Sequence, residues 1–412
     1  MAKELLLTSQ LQNSQQVSCC FWDYSNGNVL QVYKNGGSVP KKSMCLLGND
    51  FLITAEHTKP LLHIWPLNNQ EPLKNVRLVT PEPVNALAVC PRNTYLAVGI
   101  MSKLYIWELC SGKLLSVQQI HYQPITCIQF SNSGGYLVVT GEDGLIVTYN
   151  ILDLINIKYK HKAQSELGQV DPLYKRMDHA LPIHDLHIGK FSFKSRFATV
   201  SSDQTLRLYQ LSDGELLLTL IFNSALTALC FDAPFFNAFV GNQEGLISMF
   251  DLTSSPRSLE HHVEESTLNF VGHKGKVTCL ETNLFNNRLA SASEDLNIFI
   301  WELKSRQILR KIELKSVPSN LKFVLTSEEM FCQNHKPNIV INSLERSLET
   351  DLNDTVVSTL QNDTRCVRES WIKRRDQEEQ DNIEDLRAQI ITIKKHNIEL
   401  FTQLKMYQKL NI

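Results

Sequence analysis

The sequence predicts an all-β fold, a seven-bladed propeller, followed by a C-terminal α-helical coiled coil. Three observations carry this reading. An aromatic residue returns at a near-constant step, short strand-like runs recur between those aromatics, and an unbroken heptad pattern closes the chain.

The aromatics are Trp22, Trp65, Trp107, Tyr149, Tyr209, Phe250 and Trp301, each closing an apolar run, at steps of 43, 42, 42, 60, 41 and 51 residues. Most of these steps fit the period of about 40–45 residues that one four-stranded blade occupies. The two long steps imply insertions at Lys158–Met177, which is polar and charged, and at Thr253–Thr267, which holds Pro256 and "EHHVEE". Around Trp301 the order is "KVTCLETN", "RLASASED", "NIFIWELK", "QILRKIEL", strand-length runs rich in β-branched residues with Asn, Asp or Gly between them. Four such strands repeated about an axis leave only short edges exposed, which guards against edge-to-edge pairing.

Three units carry a finer signature. His121, His179 and His273 each stand four residues before a β-branched residue that opens a strand (Ile125, Ile183, Val277). Asp143, Asp203 and Asp295 follow 22, 24 and 22 residues later, and each precedes its aromatic by six. That is the spacing of the WD-repeat hydrogen-bond tetrad, in which a turn Asp holds a His that reaches a hydroxyl and a Trp indole. Thr140, Ser201 or Ser202, and Ser291 or Ser293 are the candidate hydroxyls. Only the last unit has the Trp, Trp301; Tyr149 and Tyr209 alter the other two networks. The remaining units lack the His–Asp pair, with Glu244 the nearest substitute. Such residues satisfy one another's hydrogen bonds and fix blade geometry, so they are expected to be structural rather than catalytic.

Ring closure needs the chain's end. Trp22 comes too early to have a full set of strands before it, and Val317–Leu325 reads as a strand with no complete unit after it. Pairing the two would complete the first blade and place the propeller in residues 1–344. "NIVINSL" at Asn338–Leu344 could add one more strand.

Residues 345–382 form a polar linker or partner-docking segment, with Leu344, Leu348, Leu352 and Leu360 at multiples of four and with the charges of "RESWIKRRD" cancelled by "QEEQD". Beyond it, Ile383, Leu386, Ile390, Ile393, Asn397, Leu400, Leu404 and Tyr407 advance by 3, 4, 3, 4, 3, 4 and 3, an a/d seam expected to make 383–410 a dimerisation helix. A lone Asn at an a position favours a two-stranded parallel register, because its amide pairs across the dimer. A helix lying on the propeller would show a wider apolar face. The e and g residues Gln389, Lys394, His396 and Phe401 do not decide between a second copy and a different helix.

Composition sets limits on function. Lys plus Arg is 41 against 43 for Asp plus Glu, so no overall field draws nucleic acid or anionic lipid. The ten cysteines include no C-x-x-C pair and lie mostly in apolar runs, which suggests free thiols in a reducing compartment. No stretch reaches the roughly 18 apolar residues of a membrane span, and "MAKELLLTSQ" is too short for a secretory signal, so a cytosolic or nuclear location and no membrane partner are expected.

No G-x-S-x-G, P-loop, G-x-G-x-x-G or H-E-x-x-H motif appears, so no enzyme and no cofactor are expected. "GEDG" and "GNQEG" read as blade turns. His261, His262, Glu264 and Glu265 have metal-ligand chemistry but no rigid spacing. Lys158, Lys160, Lys162, Lys175 and Arg176 make one basic insertion, a solvated loop or a contact for RNA.

The phrases "HYQPITCIQF", "HALPIHDLH", "SSDQTLRLYQLSDGELLLTLIF" and "GHKGKVTCL", with a terminal helix bearing "HNIELF", resemble the WD repeat-containing protein 18 family over essentially the whole chain. That family supplies the WD-repeat subunit of the rixosome. The resemblance implies a scaffold role in nuclear maturation of the large ribosomal subunit and in processing of the second internal transcribed spacer. The implied partners are a helical-repeat scaffold subunit, a second copy joined by a parallel coil over 383–407, the pre-ribosomal particle with its AAA-type ATPase, and the rRNA-processing nuclease–kinase pair. The implied location is the nucleus, in nucleolus and nucleoplasm, with the cytoplasm a second compartment. A generic WD adaptor, for ubiquitin ligation or for chromatin and RNA degradation, and a direct RNA binder are the alternatives.

Overall fold

The computed structural model describes residues 3–11, 17–74, 76–155, 169–191, 195–253, 258–263, 268–332 and 337–345. Contacts divide the chain into Met1–Leu348 and Glu349–Ile412. The second unit, with the heptad seam, lies outside the described residues.

The first unit is a seven-bladed all-β propeller. From the inside out, blade 1 is Pro318–Thr326, Lys3–Gln10, Val17–Asp23 and Asn28–Lys34, and blade 2 is Met44–Leu47, Phe51–Ala55, Leu61–Pro66 and Leu78–Val79. Blade 3 is Ala86–Val89, Tyr95–Ile100, Lys103–Glu108 and Leu114–Gln119; blade 4 is Ile125–Phe130, Tyr136–Gly141, Ile146–Asn150 and Tyr174–Arg176. Blade 5 is Ile183–Ile188, Arg196–Ser201, Thr205–Gln210 and Leu216–Ile221, and blade 6 is Leu226–Phe231, Asn237–Asn242, Ile247–Asp251 and Leu268–Phe270. Blade 7 is Val277–Thr282, Arg288–Ser293, Asn297–Glu302 and Ile308–Glu313. From blade 2 round through blade 7 to blade 1, the first strand of each blade packs on that of the next.

Every aromatic of the periodic set falls on the third strand of its blade. Blade 1 is built from both ends of the unit, and Pro318–Thr326 pairs antiparallel with Lys3–Gln10 from Lys3↔Thr326 to Gln10↔Pro318. Both faces of the strand Lys3–Gln10 are buried, which is why it reads as a continuous "LLL" rather than an alternation. Leu5 and Leu7 enter the core shared with Phe21, Tyr33 and Trp65, on the side of blade 2. Leu6 enters the core shared with Ala290, Ile298 and Ile300 of blade 7. Each seam between neighbouring blades has such an apolar cluster, so the ring is held by side-chain burial between sheets that do not share hydrogen-bond ladders.

The structure revises both insertions. Lys175 and Arg176 belong to Tyr174–Arg176, the outermost strand of blade 4, and not to a free basic loop. Lys158, Lys160 and Lys162 lie outside the described residues. His261 and His262 lie on Glu260–His262, a short strand that pairs parallel with Leu216–Ile221 and adds a fifth strand to blade 5.

Asn338–Leu344 is not a strand. It runs as an extended strap over blades 2 and 3, burying Ile341 and Leu344 in their shared core. The Asp50 carboxylate accepts the amides of Asn338 (2.8 Å) and Ile339 (3.0 Å), and Asn342 donates to the Cys110 carbonyl (2.6 Å). At Gly112, whose φ is +74°, a Cβ would stand 2.1 Å from the Ser343 carbonyl oxygen, so only glycine lets the strap seat. Glu345, placed by the sequence at the head of the linker, is bonded into the ring through Gly112 O (2.9 Å).

Candidate functional site

The His–Asp pairs form in all three units. The ring nitrogen Nδ1 meets the carboxylate at 2.9 Å for His121–Asp143, 2.8 Å for His179–Asp203 and 3.0 Å for His273–Asp295. Each Asp also caps its own turn, accepting the amide two residues on: Leu145 (3.1 Å), Thr205 (3.0 Å) and Asn297 (3.0 Å). A carboxylate only accepts, so a neutral imidazole here carries its proton on Nδ1 and leaves Nε2 as an acceptor.

Blade 7 has the complete network. Trp301 Nε1–H donates to Ser291 Oγ (2.8 Å), and the Ser291 hydroxyl donates to His273 Nε2 (2.7 Å). In blade 5 the hydroxyl comes from Thr199, at 2.8 Å from His179 Nε2, rather than from the expected Ser201 or Ser202. Ser201 donates to the Leu181 carbonyl, and Ser202 meets His184 instead. In blade 4 the expected Thr140 does not reach the ring; it bonds Thr126 and the Cys127 carbonyl. The position that faces His121 is held by Val139, and His121 Nε2 is buried without a partner.

The rule behind these corrections is positional. The hydroxyl stands four residues before the Asp, on the second strand, as Ser291 and Thr199 do. Blade 1 shows that the same slot works without a His–Asp pair: Trp22 Nε1 donates to Thr8 Oγ1 (2.9 Å). In blade 6 the turn is capped by Asn242, which accepts the amides of Glu244 (3.0 Å) and Leu246 (2.8 Å), so Asn242 and not Glu244 takes the role of the Asp.

The electrostatics fit neutral, structural roles for His121 and His273. Burial holds His121 and His273 below the ordinary imidazole value despite the pull of Asp143 and Asp295. Burial alone would raise Asp203, yet His179 and Thr205 hold it down at about 2. Replacing Val139 with Thr should stabilise the ring by about 1 kcal/mol, because the added hydroxyl can donate to the stranded His121 Nε2 at nearly unchanged volume. Urea denaturation of the two proteins measures it, and a destabilised variant would mean that the nitrogen is satisfied by water.

The family model described as WD domain, G-beta repeat matches residues 112–150 and 264–302, the stretches that hold the His–Asp pairs of blades 4 and 7. WD repeat-containing protein 18 of Mus musculus is 31% identical over 81% of this chain and 76% of its own length. The chain belongs to the WD repeat-containing protein 18 family. Two further relatives are the pre-rRNA-processing protein IPI3 of Yarrowia lipolytica, 29% identical over 71% of this chain and 70% of its own, and the pre-rRNA-processing protein pro-1 of Caenorhabditis elegans, 28% identical over 74% and 56%.

In this member of the WD repeat-containing protein 18 family the central channel holds a feature that no motif announced. Lys42, on the segment leading into blade 2, meets Asp185 on the innermost strand of blade 5 at 2.6 Å. Those blades are not neighbours, so the pair crosses the axis. Lys41 beside it donates to the Thr227 carbonyl of blade 6 (2.6 Å). Burial would push the Asp185 carboxyl up, but Lys42 and Lys41 hold it below the usual carboxylate range. On the same strand, burial and the nearby lysines push His184 and His187 down to about 4.

Among the described residues no group of three or more His, Cys, Asp and Glu could hold a metal ion. His261 packs against Phe250 (5.9 Å between rings), while Glu264 and Glu265 lie outside the described residues. No helix among the described residues is long and apolar enough to cross a membrane. The seam Ile383, Leu386, Ile390, Ile393, Asn397, Leu400, Leu404 and Tyr407 also lies outside them.

Proposed function

We propose that the chain is a non-catalytic scaffold subunit of the nuclear machinery that matures the large ribosomal subunit, acting where the second internal transcribed spacer is processed. The observation that carries this is family membership together with relatives in a fungus and a nematode whose names state pre-rRNA processing. The ring fits a role in binding: the paired His and Asp residues of blades 4, 5 and 7 are taken up in holding turns and strands together. In this reading the propeller joins a helical-repeat scaffold subunit within a rixosome-type assembly. The seam 383–407 pairs two copies in parallel, so that linked contacts act at high effective concentration on a pre-ribosomal particle with its AAA-type ATPase and nuclease–kinase pair.

Depleting the protein should raise spacer-containing precursors of the large-subunit rRNA several-fold on Northern blots, with the small-subunit pathway largely spared. Rescue with the intact chain should restore processing. Rescue with Leu386→Asp, Ile393→Asp and Leu400→Asp combined should not, because charge in an a/d seam opposes pairing. Normal spacer processing in depleted cells would remove the ribosomal reading. Full rescue by the seam variant would remove the dimer alone.

A further inference from the structure

The turn between the first and second strands follows one pattern in four blades. In Cys90–Tyr95, Ser131–Tyr136, Asp232–Asn237 and Asn283–Arg288 the first amide bonds the last carbonyl, and the first carbonyl accepts the amide of the fourth residue. That fourth residue has positive φ each time: Asn93 (56°), Gly134 (75°), Phe235 (64°) and Asn286 (50°). Blade 5 makes a longer version, closed by Gly189 N on Arg196 O (2.8 Å). These turns all lie on one face of the ring, and bonds join those of blades 4 and 5 and those of blades 6 and 7. Asn132 donates to Lys190 O (3.2 Å), and Ala233 N donates to Asn286 Oδ1 (3.0 Å).

Their side chains divide the face in two. Blades 3 and 4 present Arg92, Asn132 and Ser133. Blades 5, 6 and 7 present Phe191 (56% exposed), Phe236 (54%), Leu284 (47%) and Phe285 (73%). We propose that the turns of blades 5 to 7 form a docking face for a segment of a partner protein that carries apolar and acidic side chains.

Three observations support the site and choose its occupant. Single exposed apolar residues are ordinary, but four on three successive turns gather apolar surface in one sector of the face, which marks an interaction surface. Phe235 is a bulky residue in the left-handed region, where Asn and Gly serve in the matching turns. It is held there by stacking on Phe231, with ring centroids 3.9 Å apart, and this geometry sets Phe236 outward in solvent. Among the described residues, the exposed charged side chains of these turns are basic, Lys190 and Arg196 on the turn that carries Phe191, and half-buried Arg288 closes the turn that carries Phe285. The acidic groups there are used internally. Asp232 is buried and accepts the amides of Phe236 (2.7 Å) and Asn237 (3.0 Å), and buried Glu4 accepts that of Leu284 (2.8 Å). An apolar patch with a basic border selects an acidic, apolar segment. The leucine at 284 and the engagement of Arg288 over the Tyr24 ring (5.0 Å) favour protein over stacked RNA bases.

The test is photo-crosslinking of the full chain in its own cells, with a benzophenone amino acid replacing Phe236 or Phe285 and, on the polar half of the face, Arg92. Cross-links at 236 and 285 should join peptides rich in leucine or aromatic residues and net acidic. They should exceed those at 92 at least tenfold and fall at least tenfold in the Lys190→Glu, Arg196→Glu variant. Unchanged thermal midpoints show that the variants fold. Cross-links to RNA, cross-links to basic peptides, or yields equal to those at 92 would overturn the proposal. Because the readout is the chemistry of the captured segment, it stands or fails independently of spacer processing.

Discussion

Truncation at residue 316 should abolish the cooperative unfolding transition of the propeller. The deletion removes Pro318–Thr326, which pairs with Lys3–Gln10 along its length and is the innermost strand of blade 1. Leu321 and Phe323 leave the core between blades 7 and 1, and Val324 leaves the core between blades 1 and 2. At roughly 1.5–3 kcal/mol for each large apolar side chain buried, these three alone approach the 5–15 kcal/mol by which a domain is stable. The loss also breaks the ring at its joint. Asn320 donates to the Pro40 carbonyl (2.7 Å) and accepts the Lys42 amide (2.6 Å), which ties blade 1 to the chain entering blade 2. The strap through Glu345 is lost with it, exposing the indole of Trp107, whose Nε1 donates to Glu345 O (2.7 Å). Thermal unfolding followed by circular dichroism and by tryptophan fluorescence should show a single coincident transition for residues 1–348 and none for residues 1–316. A 1–316 chain that melts like the longer one would show that the open ring suffices.

Much of this ring was legible because periodicity survives divergence. The aromatics at 22, 65, 107, 149, 209, 250 and 301 all occupy the third strand, where one blade packs on the next, so their spacing reports the blade directly. The tetrad partners were legible for His and Asp, which sit in turns of fixed length. The hydroxyls were harder because a strand alternates faces: Thr140 is one residue from Val139 and therefore faces the opposite side. Thr199 lies two before Ser201 on the same strand, farther from the turn at which Ser201 and Ser202 stand. The Trp22–Thr8 bond was hidden because its blade is assembled from both ends of the unit. "NIVINSL" has strand composition, yet it seats through Asp50, Cys110 and Gly112 rather than through a ladder, and composition alone does not separate these. The Lys42–Asp185 pair joins residues far apart in sequence across an axis, and no local pattern encodes it.

Replacing Lys42 with Met should cost the ring about 2–4 kcal/mol at neutral pH, somewhat less than the 3–5 typical of a broken buried pair because the lysine end is 35% exposed. The Asp185 side chain is 2% exposed. Without the lysine its hydrogen bonds are the amides of Leu229 (3.0 Å) and Leu186 (2.7 Å), with Lys41 acting through its charge, too few to satisfy a buried carboxylate. The pH dependence separates this from a loss of packing. In the intact chain the carboxyl is held below its unfolded value, so its contribution is present above that value and is lost as pH falls through the folded one. In Lys42→Met the largest lowering charge is gone while burial and Lys41 remain, so the folded value rises and the cost of the substitution shrinks as pH falls through it. Adding Asp185→Asn removes the unpaired charge and should recover part of the loss, a positive coupling in a double-mutant cycle. Urea denaturation of the four proteins at pH 7 and pH 5 measures both effects. A Lys42→Met cost below about 0.5 kcal/mol, or one that does not change with pH, would mean that the pair is solvated in the channel and does not brace the ring.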